Sequence, residues 1–167
     1  MSVKTYVPSN LNLLICGYKI EGWTKITISR NSPTFKQVRG IRGKNTRVRL
    51  LDTSATITIT VPQTEEVNDV LSAISEADSR YGSGRLEIMM SDLSSDTQFS
   101  SPTGYITMLP AISYESNLSD NVWEITCDRS RFSPGGAKNA AVGIVEGGIS
   151  KLKDFVEDGL SEIEGIL

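Results

Sequence analysis

The chain has 167 residues, a formal net charge of −3, 38% hydrophobic and 22% charged residues, and no histidine. That size and balance fit one folded domain and exclude a large multidomain enzyme and a disordered chain. Without imidazole, histidine metal sites, Ser-His-Asp and Cys-His nucleophile pairs and histidine proton switches are all ruled out.

The total charge hides a segregation. Residues 23–51 contain eight basic side chains (Lys25, Arg30, Lys36, Arg39, Arg42, Lys44, Arg47, Arg49) and no acid, whereas residues 146–167 carry six acids against Lys151 and Lys153. Asymmetry of this kind points to contacts between molecules. No apolar stretch approaches the roughly 20 residues of a bilayer span. The first six residues lack the apolar core of a secretory signal, so the chain is expected to stay in a reducing cytoplasm. Cys16 and Cys127 lie far apart in apolar runs, outside any Cys-x-x-Cys spacing. Neither a zinc knuckle nor a disulfide framework is indicated, and both thiols are expected as buried small hydrophobes.

In chain order, residues 10–16 are a weak strand candidate and residues 24–30 a clear one with Ile26 and Ile28 inward. Residues 35–38 and 46–51 are weak candidates inside the basic stretch. Residues 55–61 alternate strictly, with Ala55, Ile57, Ile59 and Val61 on one face and Thr56, Thr58 and Thr60 on the other, the pattern of a half-buried strand. A helix is predicted over 64–78, capped by Thr64, with Glu65 and Glu66 in its first turn and an apolar stripe of Val67, Val70, Leu71, Ile74 and Ala77. Residues 80–84 stop it, and it packs across an open end or face of the sheet. Strands follow at 85–90 (Leu86, Ile88, Met90 inward) and 122–128 (Trp123, Ile125, Cys127 inward), with weaker candidates at 105–109 and 112–117. Eight or nine short strands separated by Gly, Pro, Asn and Ser clusters imply a mainly β protein, a β-barrel or sandwich with one flanking α-helix.

Residues 1–133 are read as that domain. Residues 134–167 are read as a Gly-rich linker and an acidic, amphipathic C-terminal helical extension, because Val145, Ile149, Leu152, Val156, Leu160, Ile163 and Leu167 recur at spacings of 4, 3, 4, 4, 3 and 4. Five glycines, at 143, 147, 148, 159 and 165, each weaken a lone helix by roughly 1 kcal/mol, so the segment needs a partner surface. Its acids argue against an anionic membrane and for a protein partner.

Candidate chemistry is sparse. Residues 135–139 lack the glycine spacing and Lys-Ser/Thr pair of a phosphate loop, and residues 40–45 lack its strand-to-helix context. Asp92, Asp96 and Asp120 read as solvated turn residues. No nucleophile, base, metal or cofactor site can be named, and the chain is read as a non-enzyme.

The basic segment at about 36–50 is the most informative feature. It reads as an extended hairpin, with Arg47 and Arg49 on one strand face, and three roles are open to it. It is solvated, or it touches nucleic-acid phosphates, or it projects into acidic surfaces of neighbouring copies. Phe35 is the one aromatic residue nearby, short of the stacking platform of a single-strand binder, which favours protein contact.

Residues 16–23 (CGYKIEGW), the ITISR strand at 26–30, the basic segment and DTSATITIT at 52–60 belong to a wider pattern. It continues with Gln63-Thr64, Asn68-Asp69-Val70-Leu71, Gly104-Tyr105-Ile106 and WEITC at 123–127. Over residues 10–130 this succession resembles the tail tube proteins of contractile-tailed bacteriophages. The resemblance implies a β-barrel flanked by a helix, six copies per ring, and rings stacked helically into the hollow inner tube through which the genome is ejected. It implies as partners other copies of the chain, the tail sheath protein and baseplate or tail-terminator proteins, with DNA passing through without specific binding. It places the protein in the virion tail, assembled in the host cytoplasm. It also implies a loop reaching the neighbouring ring, for which Arg39, Arg42, Lys44, Arg47 and Arg49 are the candidates. The bore is expected to be lined either by Thr56, Thr58 and Thr60 or by Glu87, Glu124 and Asp128. Two alternatives stand beside the phage tube: a small nucleic-acid-binding barrel, and the tube of a bacterial contractile injection system.

Overall fold

The computed structural model describes residues 6–136. After a 3-10 turn at Pro8–Asn10 come β1 (Leu11–Ile15), β2 (Tyr18–Lys19), β3 (Lys25–Arg30), β4 (Phe35–Arg39), β5 (Asn45–Arg49) and β6 (Ala55–Pro62). They are followed by α1 (Val67–Tyr81), β7 (Leu86–Asp92), β8 (Gln98–Met108), β9 (Asp120–Cys127) and β10 (Arg131–Ser133). Eight strands form one antiparallel sheet in the spatial order β2-β1-β7-β8-β9-β6-β3, with β10 added to β8, while β4 and β5 form a separate two-stranded ribbon.

Period-2 patterning builds the core. Ala55, Ile57, Ile59 and Val61 of β6, Ile125 and Cys127 of β9 and Ile88 of β7 are all fully buried. Trp123, Leu86, Met90, Leu13, Ile15 and Phe99 complete one cluster, against which Ile26 and Ile28 of β3 are partly buried. The inward faces of all these strands meet Val67 and Leu71 of the helix in one cluster. β2 and β3 end the ladder without pairing to one another. The described residues thus make a mainly β fold, one antiparallel sheet with a single flanking helix.

The helix covers this core with Val67 and Leu71 buried and Ile74 packed beside them, as the apolar stripe requires. Its start differs from the expected 64. Thr64 makes no cap; the N-cap position is Glu66, without a side-chain hydrogen bond, and residues 63–66 form a turn. The cause is Asn68, whose Nδ2 donates to the carbonyls of Pro62 at 2.9 Å and Glu65 at 3.1 Å, tying the turn to the end of β6. At the other end Gly82 adopts φ +62° and its N–H bonds to Asp78 O at 2.8 Å, a left-handed stop that glycine makes without strain.

Three further differences have physical reasons. β8 extends back to Gln98 rather than beginning near 105, because β7 pairs with residues 98–104 along one edge while β9 and β10 divide the other. β9 pairs with its second half and β10 with residues 98–100. Between them Ser101, 1% exposed, donates its hydroxyl to Arg129 O at 2.5 Å. Residues 112–117 form no strand: the segment is held at Ser113 O by Gln63 Nε2 at 2.8 Å and Ser119 Oγ at 2.9 Å instead of by a ladder. Cys16 is exposed in the two-residue turn between β1 and β2, at φ +50°, while Cys127 is buried as expected. Burial pushes the Cys127 thiol up, so a maleimide at neutral pH is expected to label Cys16 quickly and Cys127 only after denaturation. Two equally fast labels by mass spectrometry would contradict the placement.

The linker and acidic extension expected beyond 133 lie, from residue 137 on, outside the described residues. Residues 135 and 136 are docked: Gly135 N–H donates to Thr97 Oγ1 at 3.0 Å, and Asp96 N–H to Gly136 O at 3.3 Å. A Cβ on Gly135 would stand 2.6 Å from the Asp96 carbonyl carbon, so this approach requires glycine.

Candidate functional site

Of the five basic candidates, Arg39 lies on β4, Arg42 and Lys44 in the 40–44 loop, and Arg47 and Arg49 on β5. The register pairs Phe35 with Arg49, Gln37 with Arg47 and Arg39 with Asn45 on one side of the ribbon, and Lys36 with Val48 and Val38 with Thr46 on the other. Cross-strand partners share a face, so Arg39, Arg47 and Arg49 form a basic face, and Val38 and Val48 lie on the other beside Lys36 and Thr46. All ten strand residues are exposed. Arg47 stacks its guanidinium 4.3 Å from the Phe35 ring centroid, and Arg39 Nε donates to Asn45 Oδ1 at 3.3 Å. Among the described residues none of the five candidates lies within 4.0 Å of a carboxylate; the two ion pairs there are Lys19–Glu21 and Arg80–Glu76.

The ribbon's root is clamped. Asp52 accepts from Ser32 Oγ at 2.6 Å and from Ser54 N–H at 2.9 Å. Beside it, Asn31 N–H donates to Ser54 O at 3.1 Å and Thr56 Oγ1 donates to Asn31 Oδ1 at 2.8 Å. The Ser32 hydroxyl foremost, and then the Ser54 N–H, hold the Asp52 carboxyl below its ordinary value of 3.8. A depressed carboxylate contributes its bonds fully above the ordinary value and loses them as pH falls through and below it. Ser54 amide exchange is therefore expected to stay slow from pH 7 to about 4 and to lose its protection on further acidification, and Asp52→Ala to remove that protection at every pH.

The acidic candidates occupy the sheet's outer face. Glu124 projects from β9 opposite Thr58, Thr126 stands opposite Thr56 and Tyr105, and the Thr107 and Thr126 hydroxyls are hydrogen-bonded. Glu87 on β7 and Asp128 just past β9 are exposed. The threonine and acidic sets, read from the sequence as alternatives, thus share one polar face. Arg85 and Arg129 join Asp128 around one small surface pocket, so that end of the face is of mixed charge.

Sequence patterning missed a second exposed feature. Met108, Leu109, Ile112, Tyr114 and Leu118 are 60% to 89% exposed along the irregular connection from β8 to β9. Five large apolar side chains exposed within eleven residues are a concentration that single scattered surface apolar residues do not give. The one available signal was the high apolar content of residues 108–118 without a clean period.

Among the described residues no group of three or more Cys, Asp or Glu side chains is placed to hold a metal, and no helix is long and apolar enough to cross a membrane. What the described surface offers is an arginine face, the exposed valines Val38 and Val48 on the ribbon's other side, and the exposed apolar side chains of residues 108–118.

No protein-family model matches the chain. It is similar to structural protein ORF10 of Pseudomonas phage KPP10, 26% identical over 143 residues, covering 79% of this chain and 83% of that protein. Its fold is shared with a chain of the virion of a native gene transfer agent particle, with a TM-score of 0.55, 14% identity, and coverage of 78% of this chain and all of the other. It is also shared with the sheath/tube terminator of an extracellular contractile injection system in its extended state, with a TM-score of 0.53, 17% identity, and coverage of 80% and 100%.

Proposed function

We propose that this protein is a structural component of a phage tail or related contractile particle, and that it builds the inner tube as hexameric rings stacked into a conduit for DNA. The observation that carries this reading is the exposed ribbon, which has an arginine face and a second face with Val38 and Val48, and whose basic side chains form no ion pair among the described residues. It reaches a neighbouring ring through Arg39, Arg42, Lys44, Arg47 and Arg49, and the apolar connection 108–118 supplies a second contact. Open edges at β2 and β3 are paired or covered in the ring, which removes their tendency to recruit strands at random. Glu87, Glu124 and Asp128, with Thr56, Thr58 and Thr60 of β6, line the bore and let DNA slide. The sheath and the baseplate or terminator proteins complete its surroundings, and the assembled protein resides in the virion tail.

Likeness to a sheath/tube terminator favours a second reading, a ring that closes the tube's end. Sedimentation of purified protein at rising concentration separates the two. A tube subunit pellets as long polymers, whereas a terminator stops at single rings. A chain that stays monomeric at every concentration contradicts both. Salt-dependent binding of short DNA with a steep negative log-log slope would instead support a nucleic-acid-binding barrel.

A further inference from the structure

We infer that the acidic C-terminal segment of this chain docks on the arginine face of its own β4–β5 ribbon. Three observations converge on this occupant. The first is where the described chain ends. β10 carries it past the ribbon's root, where Phe132 and Pro134 share a cleft of about 500 Å³ with Pro33, Arg49, Leu50 and Asp52. Gly135 and Gly136 are then bonded to Thr97 and Asp96 in the turn between β7 and β8, so the described chain ends two residues past Pro134, which shares that cleft with Arg49. The second is reach. Residues 137–145 extend up to about 30 Å, and a five-residue strand is about 17 Å long, so the segment beyond 145 has access to the whole ribbon.

The third is chemical complementarity. The face to be covered carries Arg39, Arg47, Arg49 and the half-exposed Phe35. The segment carries Glu146, Asp154, Glu157, Asp158, Glu162 and Glu164, together with an apolar residue every third or fourth position. Carboxylates fit the planar guanidinium forks, and the apolar positions suit Phe35 on the face and the cleft at its root that Leu50 and Phe132 line. The inference rests on the ribbon's proposed part in ring stacking and deepens it. In the free subunit the arginines are occupied, and a neighbouring copy has to displace the segment before it stacks.

The test is amide hydrogen exchange on the full chain, at a concentration where light scattering reports monomer. Wild type is compared with a variant carrying Glu157→Lys, Asp158→Lys, Glu162→Lys and Glu164→Lys. Docking predicts that amides of residues 36–48 exchange at least about ten-fold more slowly in wild type, that 0.5 M salt narrows the gap, and that protein concentration leaves it unchanged. Equal exchange in the two proteins overturns the inference. So does protection that grows with concentration, which assigns the ribbon to another copy, and so does protection that vanishes on nuclease treatment, which assigns it to nucleic acid. Polymer formation is scored separately by scattering at high concentration. Tubes formed by a wild type with unprotected ribbon amides defeat the docking alone, and a protected ribbon in a chain that never polymerises supports docking and defeats the tube reading.

Discussion

Replacing Asn68 by alanine is expected to lower the unfolding free energy by about 2–4 kcal/mol, the loss of a buried hub combined with the stranding of its partners. Its Oδ1 accepts from Trp123 Nε1 at 3.0 Å and from Asn121 Nδ2 at 3.1 Å, and its Nδ2 holds the carbonyls of Pro62 and Glu65. Trp123 is 2% exposed and Asn121 8%, so water cannot replace the lost acceptor without opening the core. The same side chain joins three elements: the end of β6, the start of α1 and the first half of β9. Thr64→Ala is the matched control. Thr64 reads from the sequence as the helix cap, where the loss would be about 1 kcal/mol, but it makes no cap bond. Its substitution is therefore expected to move the urea midpoint little. A large shift for Thr64→Ala and none for Asn68→Ala would reverse this assignment.

The second large effect is on assembly rather than stability. With Arg42→Glu and Arg47→Glu together, the monomer is expected to keep its circular dichroism spectrum and its melting temperature within a few degrees, because both side chains are exposed and the Arg47–Phe35 stack is a surface contact. Polymerisation, in contrast, is expected to need at least about a hundred-fold higher concentration. Two reversed charges meeting acidic groups of a neighbour cost several kcal/mol at a desolvated contact, and each 1.4 kcal/mol is ten-fold in association. Wild-type tubes from this variant would remove the ribbon from the stacking role. Val38→Ser with Val48→Ser probes the ribbon's other face in the same assay.

The parts of the fold visible in the sequence are those where burial writes a period. β6 and β9 alternate without interruption because one face of each meets the core and the other does not, and α1 shows its stripe because Val67, Leu71 and Ile74 lie on one side. β8 was only half visible. Its first half reads Gln98, Phe99, Ser100, Ser101, Pro102, where Phe99 is the one buried apolar residue and Ser101 is buried with a hydrogen bond to Arg129 O, so hydropathy shows no alternation there. Asn68 was invisible for the same reason, since a polar hub inside a helix's apolar face looks like a surface residue until its partners are known. The basic run with Gly40 and Gly43 at its middle reads as a hairpin and coincides with β4 and β5, and the shared face of Arg47 and Arg49 follows from strand parity. The exposure of Val38 and Val48 on its other face and of the connection at 108–118 does not show in the sequence, because exposed apolar residues differ from buried ones only by the company that folding gives them.

Image reconstruction of the polymer formed by the purified full chain tests the central claim most directly. Stacked sixfold rings are predicted, with residues 35–49 crossing the boundary between successive rings and the face bearing Glu87, Glu124 and Asp128 turned to the bore. Rings that do not stack, or a bore lined by the arginine ribbon, would contradict it.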